Sequence, residues 1–300
     1  MAELATIPNE GAIATGDAAP RARGRAFARF LRHRLAVFGV ATILLLVLAS
    51  AVGPYVIPFN DLFIDIRHRF APPFVSAHIF GTDPLGRDLL ARLLMAGRVS
   101  LTVGFAAMLL STAFGTVLGA VAGYYGRWVG AALMRFVDAM LCFPSIFLLL
   151  ALAAFIRPSV GMITVIIAAT SWMEVARVVE GQIRTLRERD FAVAAEMMGA
   201  SDRYIIFREL IPNAIGPIVV AATLTVANAI LLESYISFLG YGIQPPLPSW
   251  GNMLNNSQQY LTSAPWLAIF PGLAITLAVT SFNFVGDGLR DALDARLDLH

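Results

Sequence analysis

The sequence predicts an all-α polytopic membrane protein with six transmembrane helices. Three observations lead there. Hydrophobic residues make up 58% of the 300-residue chain and charged residues 14%, against about 45–50% and about 25% in soluble globular proteins, too little charge to clothe a water-facing surface. Mostly apolar runs of about 20 residues, long enough to cross a bilayer as helix, can be drawn six times. All 22 basic residues are arginine, and they are spread unevenly between alternate loops, as membrane topology requires.

The elements follow in chain order. Residues 1–24, rich in Ala, Gly, Pro and Glu, lack the large apolar residues needed to fold and are expected to be a disordered cytoplasmic tail. Residues 25–75 hold a basic segment and the first span, Leu35 to Ile57. Ala49-Ser50-Ala51 imitates a signal cleavage site, but the long polar and basic stretch before the run, and the length of the run itself, mark an uncleaved anchor. The second span, Val99 to Tyr124, carries Gly104, Gly115, Gly119 and Gly123; the last three recur every fourth residue, a small-residue face suited to close helix contact in lipid. The third span is Phe136 to Ile156, the fourth Val160 to Val179, the fifth Ala214 to Gly240 and the sixth Trp266 to Val285. Pro144 should kink the third and Pro271 the sixth. Residues 97–287 thus form one five-helix domain, with 181–212 as its longest inner loop and 288–300 as a tail.

Arginine placement orients the chain. With the N-terminus inside, Arg21, Arg23, Arg25, Arg29, Arg32, Arg34, Arg127, Arg135, Arg177, Arg184, Arg187, Arg189, Arg203, Arg208, Arg290 and Arg296 fall on the inner side, and Arg67, Arg69, Arg87, Arg92, Arg98 and Arg157 on the outer. Both termini are therefore expected in the cytoplasm. The contrary detail is the first external loop, which holds five of the outer arginines; an interfacial helix from Asp88 to Gly97 would account for some of them.

The inner loop carries the most information. Phe191, Ala194, Ala195 and Met198 recur at i, i+3, i+4 and i+7, so a short helix would gather them on one face. Gly199 sits where a helix end wants a left-handed residue, Ser201 with Asp202 can cap a second short helix, and Pro212 should end it. Two short helices meeting at a bend result. From periodicity alone, an amphipathic helix on lipid headgroups fits as well as a surface that another protein's backbone approaches.

The loop resembles the E-A-A…G loop of the membrane subunits of ABC importers. The likeness extends over residues 25 to 298. Gly81-Thr-Asp-Pro-Leu-Gly-Arg-Asp88, Ala122-Gly-Tyr-Tyr-Gly126, Met134-Arg-Phe-Val-Asp138, Phe143-Pro144, Pro212-Asn213, Ser237-Phe-Leu-Gly240, Gln244-Pro-Pro-Leu-Pro-Ser-Trp-Gly251, Pro265-Trp266, Pro271-Gly272 and Gly286-Asp-Gly-Leu-Arg-Asp-Ala-Leu-Asp294 are similar to the dipeptide/oligopeptide (and nickel) branch, specifically its C-type subunit. The resemblance implies a type I importer (MetI-like) fold in a bacterial inner membrane. It implies four sets of partners: a second homologous permease in a heterodimer, two cytoplasmic ATP-binding subunits that bind ATP and Mg, an external solute-binding protein, and membrane lipid. On this chain the residues implied to dock on the ATPase are Phe191, Ala192, Ala194, Ala195, Met198, Gly199, Ala200 and Ser201. Val193 stands where the family carries its first Glu, and Glu196 lies one turn further on as a candidate substitute.

Ionisable groups inside a membrane are costly and mark candidate functional positions. Arg135 with Asp138, and Glu174 with Arg177, stand three apart and read as structural pairs on one helix face. Glu233 has no basic residue three or four positions away. Near the external end of its helix it could line the path, hold a gate or reach the interface. Asn228 and Asn283 fit interhelical hydrogen bonding better than solute contact, and Asn228 joins Glu233 as the candidate set for the path. The uncharged external segment Tyr241 to Pro265 offers a surface for a binding protein or a lid, with Trp250 and Trp266 suited to the interface.

Other classes fare worse. The absence of Lys from the sequence excludes a P-loop, so no cofactor is expected to bind this chain directly. His33, His68, His78 and His300 all fall outside the spans and read as solvated loop residues, which leaves an intramembrane enzyme without a base or a metal set. Nucleic acid is not implied by a net charge of +2. An ion-coupled secondary transporter lacks a clear central coupling carboxylate or inverted repeat. The reading is a non-enzymatic, pore-forming subunit of an ATP-driven importer, with peptide as cargo and a nickel chelate or another small solute as the alternative.

Overall fold

The computed structural model describes residues 27–75, 77–155 and 158–293. The expected tail 1–24, together with Arg25, Arg157, Arg296 and His300, lies outside them. Helix α1 (Arg34–Val56) begins at His33, whose Nδ1 accepts from the Ala36 N–H at 3.1 Å, and contains no charge after its first residue. Helix α2 (Leu89–Tyr125) has 37 residues and at 1.5 Å per residue is about 55 Å long. The separate interfacial helix expected from Asp88 to Gly97 is absent. Asp88 Oδ1 caps the Ala91 N–H at 2.7 Å and the helix runs unbroken from there into the span.

The third span is broken rather than kinked. Helices α3 (Arg127–Leu141) and α4 (Ser145–Phe155) meet at 80°. Pro144 supplies no N–H and disfavours helical geometry before it, so α3 closes with the Cys142 N–H on the Asp138 carbonyl and a new helix starts with the Phe147 N–H on the Pro144 carbonyl. Helix α5 (Val160–Arg187) follows from a Ser159 cap and extends two turns beyond the expected span.

The inner loop contains α6 (Asp190–Met197), α7 (Asp202–Tyr204), a π-helical turn (Ile205–Leu210) and α8 (Ile211–Asn213), which lead into α9 (Ile215–Phe238). Pro212 does not end the second helix as expected. The wider π spacing, with the Ile211 N–H on the Ile206 carbonyl, carries the chain past a residue that has no N–H to give. At the end of the bundle opposite that loop lie α10 (Trp250–Leu254) and the start of α11 (Trp266–Leu293), which continues through Pro271. The five long helices and the broken pair make up to six spans. Among the described residues no strand forms; the regular structure is helical.

Helix α2 is the hub. A Cβ at Gly115 would lie 2.6 Å from the Trp172 carbonyl oxygen and one at Gly123 2.7 Å from that of Glu180, while Gly119 meets the Ala176 carbonyl between them. Three successive turns of α2 therefore rest directly on the backbone of α5. On another face Gly104 accommodates Ile230 of α9, and Gly39 brings α1 onto the Ser281 carbonyl of α11. The three largest buried groups centre on Val103, Leu149, Ile167 and Ile236, on Tyr124, Val179, Ile183 and Leu210, and on Ile230, Trp250 and Phe282.

The loop before α2 explains its excess of arginine. Asp83 Oδ1 accepts from the Leu85 and Arg87 N–H groups at 2.8 and 3.0 Å, and its Oδ2 takes Arg87 Nε at 2.6 Å with Arg92 Nε at 3.7 Å. Arg98 donates to the Ser50 and Ala51 carbonyls at 2.7 and 2.6 Å and lies over the Tyr55 ring. Three of the five arginines are thus committed to the fold. His78 is not the solvated residue expected: its Nδ1 is 2.8 Å from Asp88 Oδ2 and its ring lies against Phe59. Trp250 likewise is not interfacial but buried, its indole N–H donating to the Leu93 carbonyl at 3.1 Å.

Gly119→Val should cost at least about 1–3 kcal/mol, the penalty for overpacking a filled interface, because the obstacle is main chain and cannot swing aside. Gly181→Val on α5, whose added Cβ has nothing within 4 Å, should be far milder. Thermal unfolding of the two variants in detergent checks this; equal melting temperatures would remove the glycine row from its role.

Candidate functional site

Helix α6 is short, and its end is fixed by two backbone bonds. The Gly199 N–H donates to the Glu196 carbonyl and the Ala200 N–H to the Ala195 carbonyl, 3.0 and 3.1 Å, with Gly199 at φ +80°. That is the Schellman arrangement, which needs a residue tolerant of positive φ at the bend. Ser201 Oγ then caps α7 by accepting from the Tyr204 N–H.

The faces of α6 differ from the expected ones. Ala192 and Ala195 are the buried residues, packed with Ile205, Leu210, Val179 and Ile183. Phe191 and Ala194 are exposed, as are Val193 and Glu196; Met197 is 84% and Met198 82% exposed. The buried volume under the loop is filled by Ile205, Ile206 and Leu210 of its second half, so α6 contributes only the methyls of Ala192 and Ala195 and its larger side chains are turned outward. The exposed apolar set is Phe191, Val193, Met197 and Met198. Gly199 and Ser201 are exposed beside it, while Ala200 is half-buried against the core.

The contacts that fasten the loop escaped the sequence reading. Asp202 accepts from Tyr124 Oη at 2.9 Å and from Tyr125 Oη at 3.0 Å. Arg187 Nη1 donates to the Tyr124 carbonyl at 2.6 Å, and its guanidinium lies 5.2 Å from the Tyr124 ring centroid. The end of α2 is thereby tied to both sides of the bend. Nothing in residue spacing could bring together positions 77 or 78 apart. Beside the fastening lies a cavity of about 650 Å³ whose charged lining alternates in sign: Arg127, Arg184 and Arg187 with Glu180, Glu188 and Glu196.

The charges within the spans pair across helices, not along them. Arg177 of α5 meets Asp138 of α3, in place of the expected Arg135–Asp138 and Glu174–Arg177 pairs. The i,i+3 partners lose because the short gap between α3 and α5 lets opposite charges meet directly. Arg135 and Glu174 are left exposed. Glu233 is fully buried within this chain rather than at the interface, accepting from Ser100 Oγ at 3.0 Å and Ser237 Oγ at 2.7 Å. Ser100 Oγ in turn accepts from the Trp250 N–H at 3.1 Å, so one carboxyl knits α2, α9 and α10. Asn228 is exposed on α9, and among the described residues neither it nor Asn283 makes an interhelical hydrogen bond. Among the described residues no group of three or more His, Cys, Asp or Glu converges as a metal site.

Residues 115–299 match the family described as binding-protein-dependent transport system inner membrane component, and residues 23–73 match the N-terminal TM domain of oligopeptide transport permease C. A putative peptide permease protein of Brucella suis is 43% identical over 95% of this chain and 96% of its own length. The dipeptide transport system permease protein of Alkalihalophilus pseudofirmus is 40% identical over 91% and 89%, and the oligopeptide transport system permease protein of Haemophilus influenzae 39% over 89% and 86%.

Asp202→Ala removes the acceptor for both tyrosines, and hydrogen bonds to a charged group contribute about 1.5–3 kcal/mol each when shielded, less when exposed as here. Amide hydrogen exchange across 190–204 should accelerate while the outer halves of α2 and α9 stay protected. Unchanged exchange in the loop would show that the fastening is not what holds it.

Proposed function

The chain belongs to the family of binding-protein-dependent transport system inner membrane components, and on that premise we propose that it is one of two unlike permease subunits of an ATP-driven peptide importer. Its several long apolar helices make it a multi-pass inner membrane protein. In the proposed assembly a second, homologous permease shares the translocation path, two cytoplasmic subunits bind ATP and Mg and hydrolyse the nucleotide, and an external binding protein delivers cargo. This chain itself binds no nucleotide and is not an enzyme.

The observation that carries the reading is the bent inner loop. Four large apolar side chains, Phe191, Val193, Met197 and Met198, stand exposed on a helix of eight residues and its cap, the two methionines by more than four-fifths. Such a patch is what a partner's groove would bury. Phe191, Ala194, Glu196, Met198, Gly199 and Ser201 are proposed to meet the ATPase, while Ala192 and Ala195 seat the loop and Ala200 serves the bend. Cytoplasmic termini follow from the arginine distribution, and the commitment of Arg87, Arg92 and Arg98 to internal contacts removes the main objection to that orientation.

Peptide is favoured over a nickel chelate because the three relatives named above carry peptide in their names. The test is uptake of labelled di- and tripeptides by cells with and without this chain. Loss of uptake for at least one peptide is expected, and unchanged uptake of every peptide removes the cargo assignment. Gly199→Val places a β-branched side chain at φ +80°, where an L-residue is strained by about 1–2 kcal/mol. It should leave ATP turnover by the complex measurable while import falls, and import at the normal ratio to ATP consumed would show that the bend transmits nothing.

A further inference from the structure

Pro54 stands inside α1 and has no N–H, so the Ser50 carbonyl loses its helical partner. Arg98 of α2 supplies the missing donor. Its Nε lies 2.7 Å from that oxygen and its Nη2 2.6 Å from the Ala51 carbonyl, with the Tyr55 ring centroid 4.7 Å from the guanidinium. A cation is thereby held in place by main chain, not by a carboxylate. Its Nη1 carries two further N–H donors and makes no hydrogen bond among the described residues.

The guanidinium heads a groove of about 630 Å³ between α1 and α2. Beyond Thr102 the α2 wall of that groove is wholly apolar, with Phe105, Ala106 and Leu109 in succession. From Arg98 to Leu109 the wall extends about 16 Å. Thr102 and Leu109 are exposed, so the groove opens on the surface of the bundle. Measured along α1 from Arg34, its only charge, Ser50 stands about 24 Å away, within a hydrocarbon core about 30 Å thick and close to its far boundary. No acid balances the cation there. Neither α1 nor α2 contains a carboxylate, nor does α11 between Trp266 and Val285. Asp83 and Asp88 are engaged with Arg87 and His78 before α2 begins, and Glu233 is sealed among Ser100 and Ser237. Asp61 lines a separate pocket with Ala91 and Met95.

We propose that this groove binds an anionic phospholipid, its phosphodiester on the Arg98 guanidinium and one acyl chain along Phe105, Ala106 and Leu109. The order of the lining, a single cation at the polar boundary followed by an apolar wall running into the hydrocarbon, is the order of groups in such an amphiphile. The absence of a carboxylate favours phosphatidylglycerol over phosphatidylethanolamine, whose ammonium would stand beside a second cation with no acid to receive it. The orientation proposed above places the lipid in the outer leaflet. The site is independent of the cargo.

The test uses the complete importer in vesicles of phosphatidylethanolamine and phosphatidylglycerol, with a trace of phosphatidylglycerol that carries a photoreactive diazirine on one acyl chain. Irradiation should label residues 101–109 of the wild-type chain. Arg98→Gln should lower that label roughly tenfold, as loss of one charge-assisted hydrogen bond would. Added phosphatidylglycerol should compete the label away, and added phosphatidylethanolamine should not. Because Arg98 also fastens α1, Ala106→Trp serves as a second variant: it fills the groove beyond the guanidinium, leaves the bonds to Ser50 and Ala51 in place, and should remove the label likewise. Undiminished labelling in either variant, or equal competition by the two lipids, overturns the proposal. So does a wild-type complex with no label at 101–109, the result expected if the partner permease covers the groove.

Discussion

Backbone contact between α2 and α5 is the constraint on which the other features depend. Within lipid there is no hydrophobic drive to bring two apolar helices together, so association relies on shape and close approach. Gly115, Gly119 and Gly123 permit it over three turns by admitting the carbonyls of Trp172, Ala176 and Glu180. Contact of that kind fixes rotation as well as distance. With Ala176 against α2, a residue two positions away lies on the far side of α5, which is where Glu174 and Val178 are found. At the inner ends of the same two helices Ala192 and Ala195 of α6 pack with Ile205, Ile206 and Leu210, leaving the larger side chains of α6 outside.

Charge is distributed in keeping with that frame. Outside the membrane, arginines and acids are consumed in tight local structure, with Asp83 serving two guanidinium groups and two backbone N–H groups. Within the spans one ion pair bridges helices and one carboxyl is sealed among serines. Arg135 of α3 and Glu174 of α5 remain exposed beside that pair.

Much of the architecture was legible because long apolar runs and glycine spacing are properties of consecutive residues. The positions of α1, α2, α9 and α11, the tight face of α2 and the bend at Gly199 are of that kind. Pro144 announced a disturbance, yet whether proline kinks or breaks a helix depends on the neighbours available to it. Contacts between distant residues were not legible. The i,i+3 rule correctly identified Arg177 and Asp138 as pairing residues but assigned each the wrong partner, since the spacing of α3 from α5 is invisible in either helix alone. Glu233 read as a candidate for the path, a gate or the interface because its partner Ser100 lies 133 positions away. Tyr124 and Tyr125 stood within a quoted motif, but nothing local tied them to Asp202.

Helix α2 is one uninterrupted rod from Leu89 to Tyr125. Its inner tip is bound to the loop through Asp202 and Arg187, and its outer third is bound to Glu233 and Trp250 through Ser100. Displacement at one tip is therefore shared with the other through a single continuous ladder of backbone hydrogen bonds, with no hinge between them to absorb it.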